Sequence, residues 1–549
     1  MLVYRNGSRV LPSQVIVREL LEAVQCDTSA SARADEALLR AGELECALAD
    51  LHDPAHALSQ HLSDALAARR LGCDSPRLPQ LLVALEGAAL PDRLRLKTPE
   101  GFAYYALSPL AYAALTRELP ALRPPVAVIG VRSIGTTLSA MVCEALRARQ
   151  LTAARISVRP GGHPWDRTLD WSVRERAFVE THARAGGDFL IVDEGPGMSG
   201  STFLAVAAAL ERAAVPAERI RLLCSHLPDV SRLVAPGASE RWSRYRSHAP
   251  APLCAPAGSV DVSGGTWRRH FIGEGAPDTW PACWTQLERI KWWQPEARVL
   301  DKFEGLPPYG NAPLARAQAL ADAGFAPGVR ALPGGFARYE LSAGRPARAG
   351  DLGADTLSQI ARYCAARSGM FAAADSDVHA LSEMVRVNVE ELFGCVPALP
   401  ALELHTPVVC DARMMPYEWR YTADGQLIKT DGHGHGDDHL LPGPTDVCWD
   451  LAGAIVEWNM REAAADALLG AYVELTGDRD ATRRLPGYLV AYCALRCGQL
   501  QFAAHSGDAA EQVRLAAAQR NVEHRLARLL RVSRRAELRD DASAATLGK

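Results

Sequence analysis

The stretch FLIVDEGPGMSGST, Phe189 to Thr202, limits the folds open to this chain more than any other. Four consecutive apolar residues bounded by turn formers read as a strand buried on both faces, which points to a parallel sheet covered by helices. Two acids, Asp193 and Glu194, close that strand. Gly195, Gly197, Ser199, Gly200, Ser201 and Thr202 then carry the chain into an Ala-rich helix that runs to about Ala214. The pattern recurs: VAVIG at 126–130, introduced by Pro124 and Pro125, leads into a helix from about Thr137 to Arg149, and RIRLLCSH from Arg219 supplies a third run. Strands alternating with helices predict crossover connections and an α/β fold.

In such a sheet ligands settle beyond the carboxyl ends of the strands, and glycines let backbone N–H groups approach a phosphate at the next helix N-terminus. The hydroxyls of Ser199, Ser201 and Thr202 add donors, whereas two carboxylates beside a phosphate loop suit ribose hydroxyls rather than an anion. In this order of apolar strand, acid pair and Gly/Ser/Thr loop, the stretch resembles the phosphoribosyl-diphosphate motif of type I phosphoribosyltransferases. GPGMSGST is a residue longer than the common loop. The resemblance implies that Asp193 and Glu194 hold the 2- and 3-hydroxyls. It also implies that Gly197, Met198, Ser199, Gly200, Ser201 and Thr202 wrap the 5-phosphate. An earlier loop in VAVIGVRSIGTT would meet pyrophosphate and its Mg²⁺ through Arg132, Ser133, Gly135 and Thr136. RPGGHPWDRTLDW, Arg159 to Trp171, is expected as a lid or acceptor-recognition segment. Tyr104 and Tyr105 read either as core or as a cover for a ligand.

At 549 residues the chain calls for roughly three to four folding units. Its 60 Lys and Arg against 64 Asp and Glu give a net charge of -4, so no cationic field points to nucleic acid or a membrane surface. No apolar run is long enough to span a membrane, and MLVYRNGSRVLPSQVIV lacks the core of a signal peptide, so the expected location is cytoplasmic. Thirteen cysteines with no CxxC pair read as buried thiols.

A second concentration of chemistry lies between His405 and Trp458, in HTPVVCDARMMPYEWRYTADGQLIKTDGHGHGDDHLLPGPTDVCWDLAGAIVEW. Asp411 follows an apolar run, Glu418 comes seven residues later, and Asp424-Gly425 turns a hairpin into QLIK, two residues beyond which stands Asp431. Phosphoryl transfer needs a carboxylate beside the acceptor hydroxyl and further oxygen ligands for Mg²⁺. The region is similar to the catalytic segment of the aminoglycoside-phosphotransferase and protein-kinase-like superfamily. That resemblance implies Asp411 as catalytic acid, Glu418 and Asp431 as metal ligands, and Asp450 as a brace for the catalytic loop or a plain N-cap. Lys302, in RVLDKFEGL, would be the ATP-phosphate lysine, with Lys291 as its alternative and VDVSGGTW near Gly264 as the glycine loop. No acid for that lysine is evident in the helix ARAQALADA. His433, His435 and His439, with Asp437 and Asp438, could instead ligate zinc.

The expected organisation is a helical N-terminal region (1–99), a parallel-sheet phosphoribosyltransferase-like domain (100–235) and a Pro/Ser/Gly/Ala-rich linker (236–254). A two-lobed α+β kinase-like domain follows (255–350 and 351–533), then a frayed tail (534–549). The expected function is phosphoribosyl-diphosphate-dependent transfer to a small-molecule acceptor, with a second centre passing phosphate from ATP to a hydroxylated metabolite. Self-association is left open. Two other functions fit the same residues: a non-catalytic nucleotide or phosphoribosyl-diphosphate-binding regulator, and a metal-dependent hydrolase built on His433 to His439.

Overall fold

A computed structural model describes residues 1–5, 7–26, 35–273, 279–505 and 507–531. The tail expected to fray lies outside the described residues. Residues 8–97 begin and end as an antiparallel strand pair, β1 (Ser8–Pro12) against β2 (Arg93–Lys97). Between them run α1 (Ser13–Cys26), α2 (Glu36–Asp50), α3 (His56–Arg70) and α4 (Leu78–Glu86). The strand pair departs from the all-helical reading. β2 alternates exposed arginines with buried Leu94 and Leu96, a period-two signal only five residues long.

After α5 (Glu100–Ala103) and α6 (Pro109–Glu118) come the expected elements: β3 (Val126–Val131), α7 (Ile134–Ala148), β4 (Ala153–Val158), the hairpin β5 (Gly161–His163) and β6 (Asp166–Thr168), α8 (Val173–Arg184), β7 (Phe189–Val192), α9 (Ser201–Arg212) and β8 (Ile220–Leu223). Past α10 (Ala238–Ser243), β9 (Arg246–His248) joins the same sheet, whose order is β4-β3-β7-β8-β9 with every pairing parallel. The sheet thus runs past residue 235 into the stretch read as a linker. Pairing with β8 needs only backbone, which composition does not register.

Every residue of β3 and β7 is buried, as strands covered on both faces must be. α7 supplies one cover, and the N-terminal helices pack on its far side through Ala140, Met141 and Ala145. A buried charge cluster joins those helices to the sheet edge. Arg155 on β4 makes paired bonds of 2.7 and 2.8 Å to Glu45 on α2, and a third of 2.5 Å to Asp64 on α3. Removing either acid would leave the buried guanidinium a single countercharge and fewer hydrogen-bond acceptors, so the cluster fixes the docking geometry.

The second half opens with β10 (Val260–Asp261), α11 (Trp267–Phe271), β11 (Lys291–Gln294), β12 (Val299–Phe303), α12 (Asn311–Asp322), β13 (Val329–Ala331) and β14 (Phe336–Glu340). Their strands form an antiparallel sheet ordered β10-β11-β12-β14-β13. β15 (Gly344–Pro346) pairs with β16 (Trp419–Thr422), which forms the expected hairpin with β17 (Leu427–Lys429). The helices α13 (Ala354–Met370), α14 (Val378–Phe393), α15 (Cys448–Glu457), α16 (Glu462–Thr476), α17 (Ala481–Ala504) and α18 (Ala509–Leu530) complete this half. They bury the largest apolar core of the protein, centred on Trp419, Trp449, Trp458 and Tyr363. No described helix is long and apolar enough to cross a membrane.

The halves pack directly. Phe303 and Leu306 enter the apolar cluster of Phe102 and Tyr112, and the Leu306 N–H donates to the Phe102 carbonyl at 2.9 Å.

Candidate functional site

Strand order picks out the first site. In a sheet ordered 2-1-3-4-5 the connections reverse between the first and third strands, here β3 and β7, and the crevice beyond their carboxyl ends is the usual ligand position. The loops expected to bind ligand, 131–137 and 193–202, leave these two strands. Gly130 and Gly135 permit their close approach: a Cβ on Gly135 would lie 2.4 Å from the Val192 carbonyl oxygen. Ser133 sits at φ +110°, a region that L-residues seldom occupy and that costs about 1–3 kcal/mol.

Asp193 and Glu194 stand at the end of β7. Burial pushes the Asp193 carboxyl up to about 7, against its bond from the Glu194 N–H. Burial and then the charges of Glu100 and Asp193 push Glu194 up to about 8. Tyr112 donates to both of their backbone carbonyls, and the Glu194 carboxyl lies against Gly101. Gly200 enters α9 in the left-handed conformation, and a Cβ there would crowd Leu233 and Trp242 at 3.1 and 3.2 Å. Ser199 and Ser201 Oγ both donate to the Pro164 carbonyl, at 3.3 and 2.7 Å, so the tip of the β5–β6 hairpin rests on the loop. Met198 is half-exposed and Thr136 is buried at the start of α7.

Arg132 is engaged by acids: its guanidinium reaches Asp50 at 3.4 Å and Glu175 at 3.3 Å, because α2 and α8 each place a carboxylate within range.

The second site is a cleft of about 1500 Å³, counted out to open solvent, between the antiparallel sheet and the helices. Lys302 on β12 reaches it and bonds Asp431 Oδ1 at 2.7 Å, across 129 residues of sequence. Burial opposes ionisation of Asp431, but Lys302, then His435 and His433, overrule it and hold the carboxyl well below its usual range. Glu418 also lines the cleft, as do Lys291, 3.6 Å from Glu288, and Arg413, whose ion pair with Glu418 is a loose 3.9 Å. Burial raises the Glu418 carboxyl against the pull of Lys429 and Arg413.

Asp411 is fully buried and is not among the residues lining the cleft. Tyr363 Oη donates to it at 2.6 Å, and Lys429 Nζ lies 3.2 Å away while also bonding Glu418 at 2.8 Å. Asp450 receives the N–H groups of Asp411 and Ala412 at 2.8 and 3.0 Å, with the fully buried Arg367 at 3.5 Å, so its carboxylate serves the loop above it.

Several site residues escape sequence reading. Glu304, two residues after Lys302, is a second acid beside that lysine: it lies 3.3 Å from Lys302 and is bonded by Arg289 at 2.9 Å. Strand alternation puts residues 302 and 304 on one face, a signal present in DKFEG. Lys429, two before Asp431, follows the same rule. Tyr363 and Arg367 come from a distant helix and leave no local signal.

The three histidines do not converge. His433 bonds Glu304 and Tyr339, each at 2.8 Å; His435 lies between Asp431 and Asp438; and His439 bonds Tyr105 at 3.0 Å and stacks on Tyr104 at 4.7 Å. Among the described residues no group of three acids, thiols or imidazoles is placed to hold a metal ion, so the zinc reading lacks its ligand set. Tyr104 and Tyr105 therefore sit where the halves meet.

No family model and no curated protein sequence matches the chain. Solved structures show a slight likeness. Choline kinase LicA from Streptococcus pneumoniae is 11% identical over 43% of this chain and 89% of that one, at a TM-score of 0.29. Plasmodium vivax ethanolamine kinase is 9% identical over 42% and 79%, at 0.30. An aminoglycoside phosphotransferase from Alicyclobacillus acidocaldarius is 14% identical over 44% and 89%, at 0.25. Values this low carry no functional assignment.

Proposed function

We propose that the cleft transfers the γ-phosphoryl group of ATP to a small hydroxylated molecule. The observation that carries this reading is the Lys302–Asp431 pair at 2.7 Å, set inside a cleft with Glu418 and Arg413. Glu418 and the firmly ionised Asp431 are oxygen donors of the kind Mg²⁺ takes, the rest of its shell coming from phosphates and water. Bound there, Mg²⁺ would neutralise phosphate charge. Lys302 and Arg413 add fixed positive charge, which favours the transition state because it needs no reorganisation. The acceptor oxygen bonds the γ-phosphorus while the bond to the β–γ bridging oxygen breaks, leaving its electron pair on ADP. Asp411 would take the hydroxyl proton once Tyr363 and Lys429 uncover it. Incubation with Mg²⁺, ATP and a metabolite extract should release ADP with wild-type protein and not with Lys302→Met or Asp431→Asn. Equal release from all three would sink the reading.

A second reading places phosphoribosyl diphosphate at the β3/β7 crevice, with an unidentified small-molecule acceptor. It is favoured by the strand order, which brings both glycine-containing loops to the switch point beside Asp193 and Glu194. Pyrophosphate release from phosphoribosyl diphosphate, lost in Asp193→Asn, tests it. A regulator that binds either ligand without turnover would bind normally and release neither product.

A further inference from the structure

Phosphoryl transfer can draw on one divalent cation or two, and the number depends on how many sets of oxygen donors a site leaves open. Beside this cleft one such set is already engaged. Lys429 closes β17, and its side chain is wholly buried. Its Nζ bonds Glu418 Oε2 at 2.8 Å and the Asp431 carbonyl at 2.6 Å, and lies 3.2 and 3.3 Å from the two carboxylate oxygens of Asp411. We infer that the ammonium of Lys429 stands where a second divalent cation would bridge Asp411 and Glu418, so that the cleft takes one Mg²⁺ and not two. This rests on the phosphotransferase reading of the cleft and adds the number of cations it uses.

Two carboxylates and a carbonyl are the hard oxygen donors that a divalent ion collects, and an ammonium with three N–H donors satisfies the same oxygens. Both cations cannot share them. At a Mg–O length of about 2.0–2.1 Å the ion would fall within the space of the ammonium and be repelled by its charge. Packing also limits how far Lys429 can move. A Cβ on Gly432 would lie 3.1 Å from Lys429 Cγ, so glycine at this position lets the turn after Asp431 pass over the lysine stem. From the other side Tyr363 Oη donates to Asp411 at 2.6 Å.

The contacts to Asp411 are the longer ones. That acid can therefore be released to an acceptor hydroxyl while Lys429 keeps its short bonds to Glu418 and the Asp431 carbonyl. Glu418 is divided between two duties. Its Oε2 holds the fixed ammonium, whereas its Oε1 meets only the loose 3.9 Å ion pair of Arg413 among the described residues. The single cation is thus left Glu418 Oε1 and the carboxylate of Asp431.

The test counts Mn²⁺, a paramagnetic substitute for Mg²⁺, bound per chain of full-length protein saturated with a non-hydrolysable ATP analogue, using equilibrium dialysis and electron paramagnetic resonance. The expected result is one ion on wild type and two on Lys429→Met, whose uncovered acids take a metal in place of the ammonium. Mg²⁺ should also raise the Tm of that variant by several degrees more than it raises that of wild type, a readout that needs no turnover. Lys429→Gln, which keeps hydrogen bonding without the charge, should behave in the same way and covers the case of a methionine variant that misfolds. Two ions on wild type would overturn the inference whether or not either variant folds. One ion on the neutral variants, with a Mg²⁺ response equal to that of wild type, would also overturn it. Analogue binding separates the two levels. If wild type binds the analogue with two ions, the one-cation inference alone falls; if it binds no analogue, the cleft reading falls with it.

Discussion

The acid pair at the switch point and Asp431 in the cleft are pushed in opposite directions. At the switch point Asp193 and Glu194 are pushed up to about 7 and 8 because burial outweighs the cations near them. In the cleft Asp431, like them only partly buried, is held well below the usual carboxylate range because Lys302 lies 2.7 Å away. A carboxyl poised near neutrality suits hydroxyl ligands, which it can meet as donor or acceptor, whereas a permanently ionised one suits a divalent cation. Burial alone therefore does not set an acid's role; its nearest fixed charge does.

Five measurements bear on that contrast. The largest effect is expected for Asp450→Ala, which removes the acceptor of two loop N–H groups and strands the buried Arg367. Urea unfolding should show a loss of about 3–5 kcal/mol, and a loss under 1 kcal/mol would mean the brace is dispensable. Next, Lys302→Met should lower phosphoryl transfer about 100-fold or more, in line with removal of a preorganised donor, and a change under fivefold would place the phosphates elsewhere.

The pH response of the acid pair comes third. Both carboxyls bind protons more tightly folded than unfolded, where their ordinary value is about 4. Their contribution to stability is therefore full below about pH 4 and is lost as pH rises through 7 and 8. Asp193→Asn combined with Glu194→Gln should accordingly stabilise the protein relative to wild type at pH 8.5 but not at pH 4. Parallel denaturation curves at the two pH values check this, and a wild type favoured at high pH would reverse the assignment. Arg413→Ala should raise KM for ATP about tenfold, since its loose 3.9 Å pair with Glu418 leaves the guanidinium available to phosphate. Smallest of all, Trp165→Ala, at an exposed hairpin tip, should move stability by no more than about 0.5 kcal/mol, which thermal melting can resolve.

The legibility of the two halves follows from how each is assembled. FLIV, the acid pair and the glycine loop sit in fourteen consecutive residues, so strand, turn and helix N-terminus could all be read locally. The hairpin after Asp424-Gly425 was readable for the same reason. The ion pairs of Arg132 leave no local signal because its partners, Asp50 and Glu175, lie 82 and 43 residues away. The enclosure of Asp411 was invisible because α13 delivers Tyr363 from 48 residues upstream. The histidines that suggested zinc are close in sequence but are drawn apart by Glu304, Asp431 and Tyr105, each from a different element.

The apolar runs that must be buried, the turns that close them and the acids at strand ends are written in the chain locally, because each depends on neighbours within one or two turns. Which charges meet is settled by folding. Coulomb attraction and desolvation depend on distance through space, and the packing of one half against the other sets distances that no local spacing encodes.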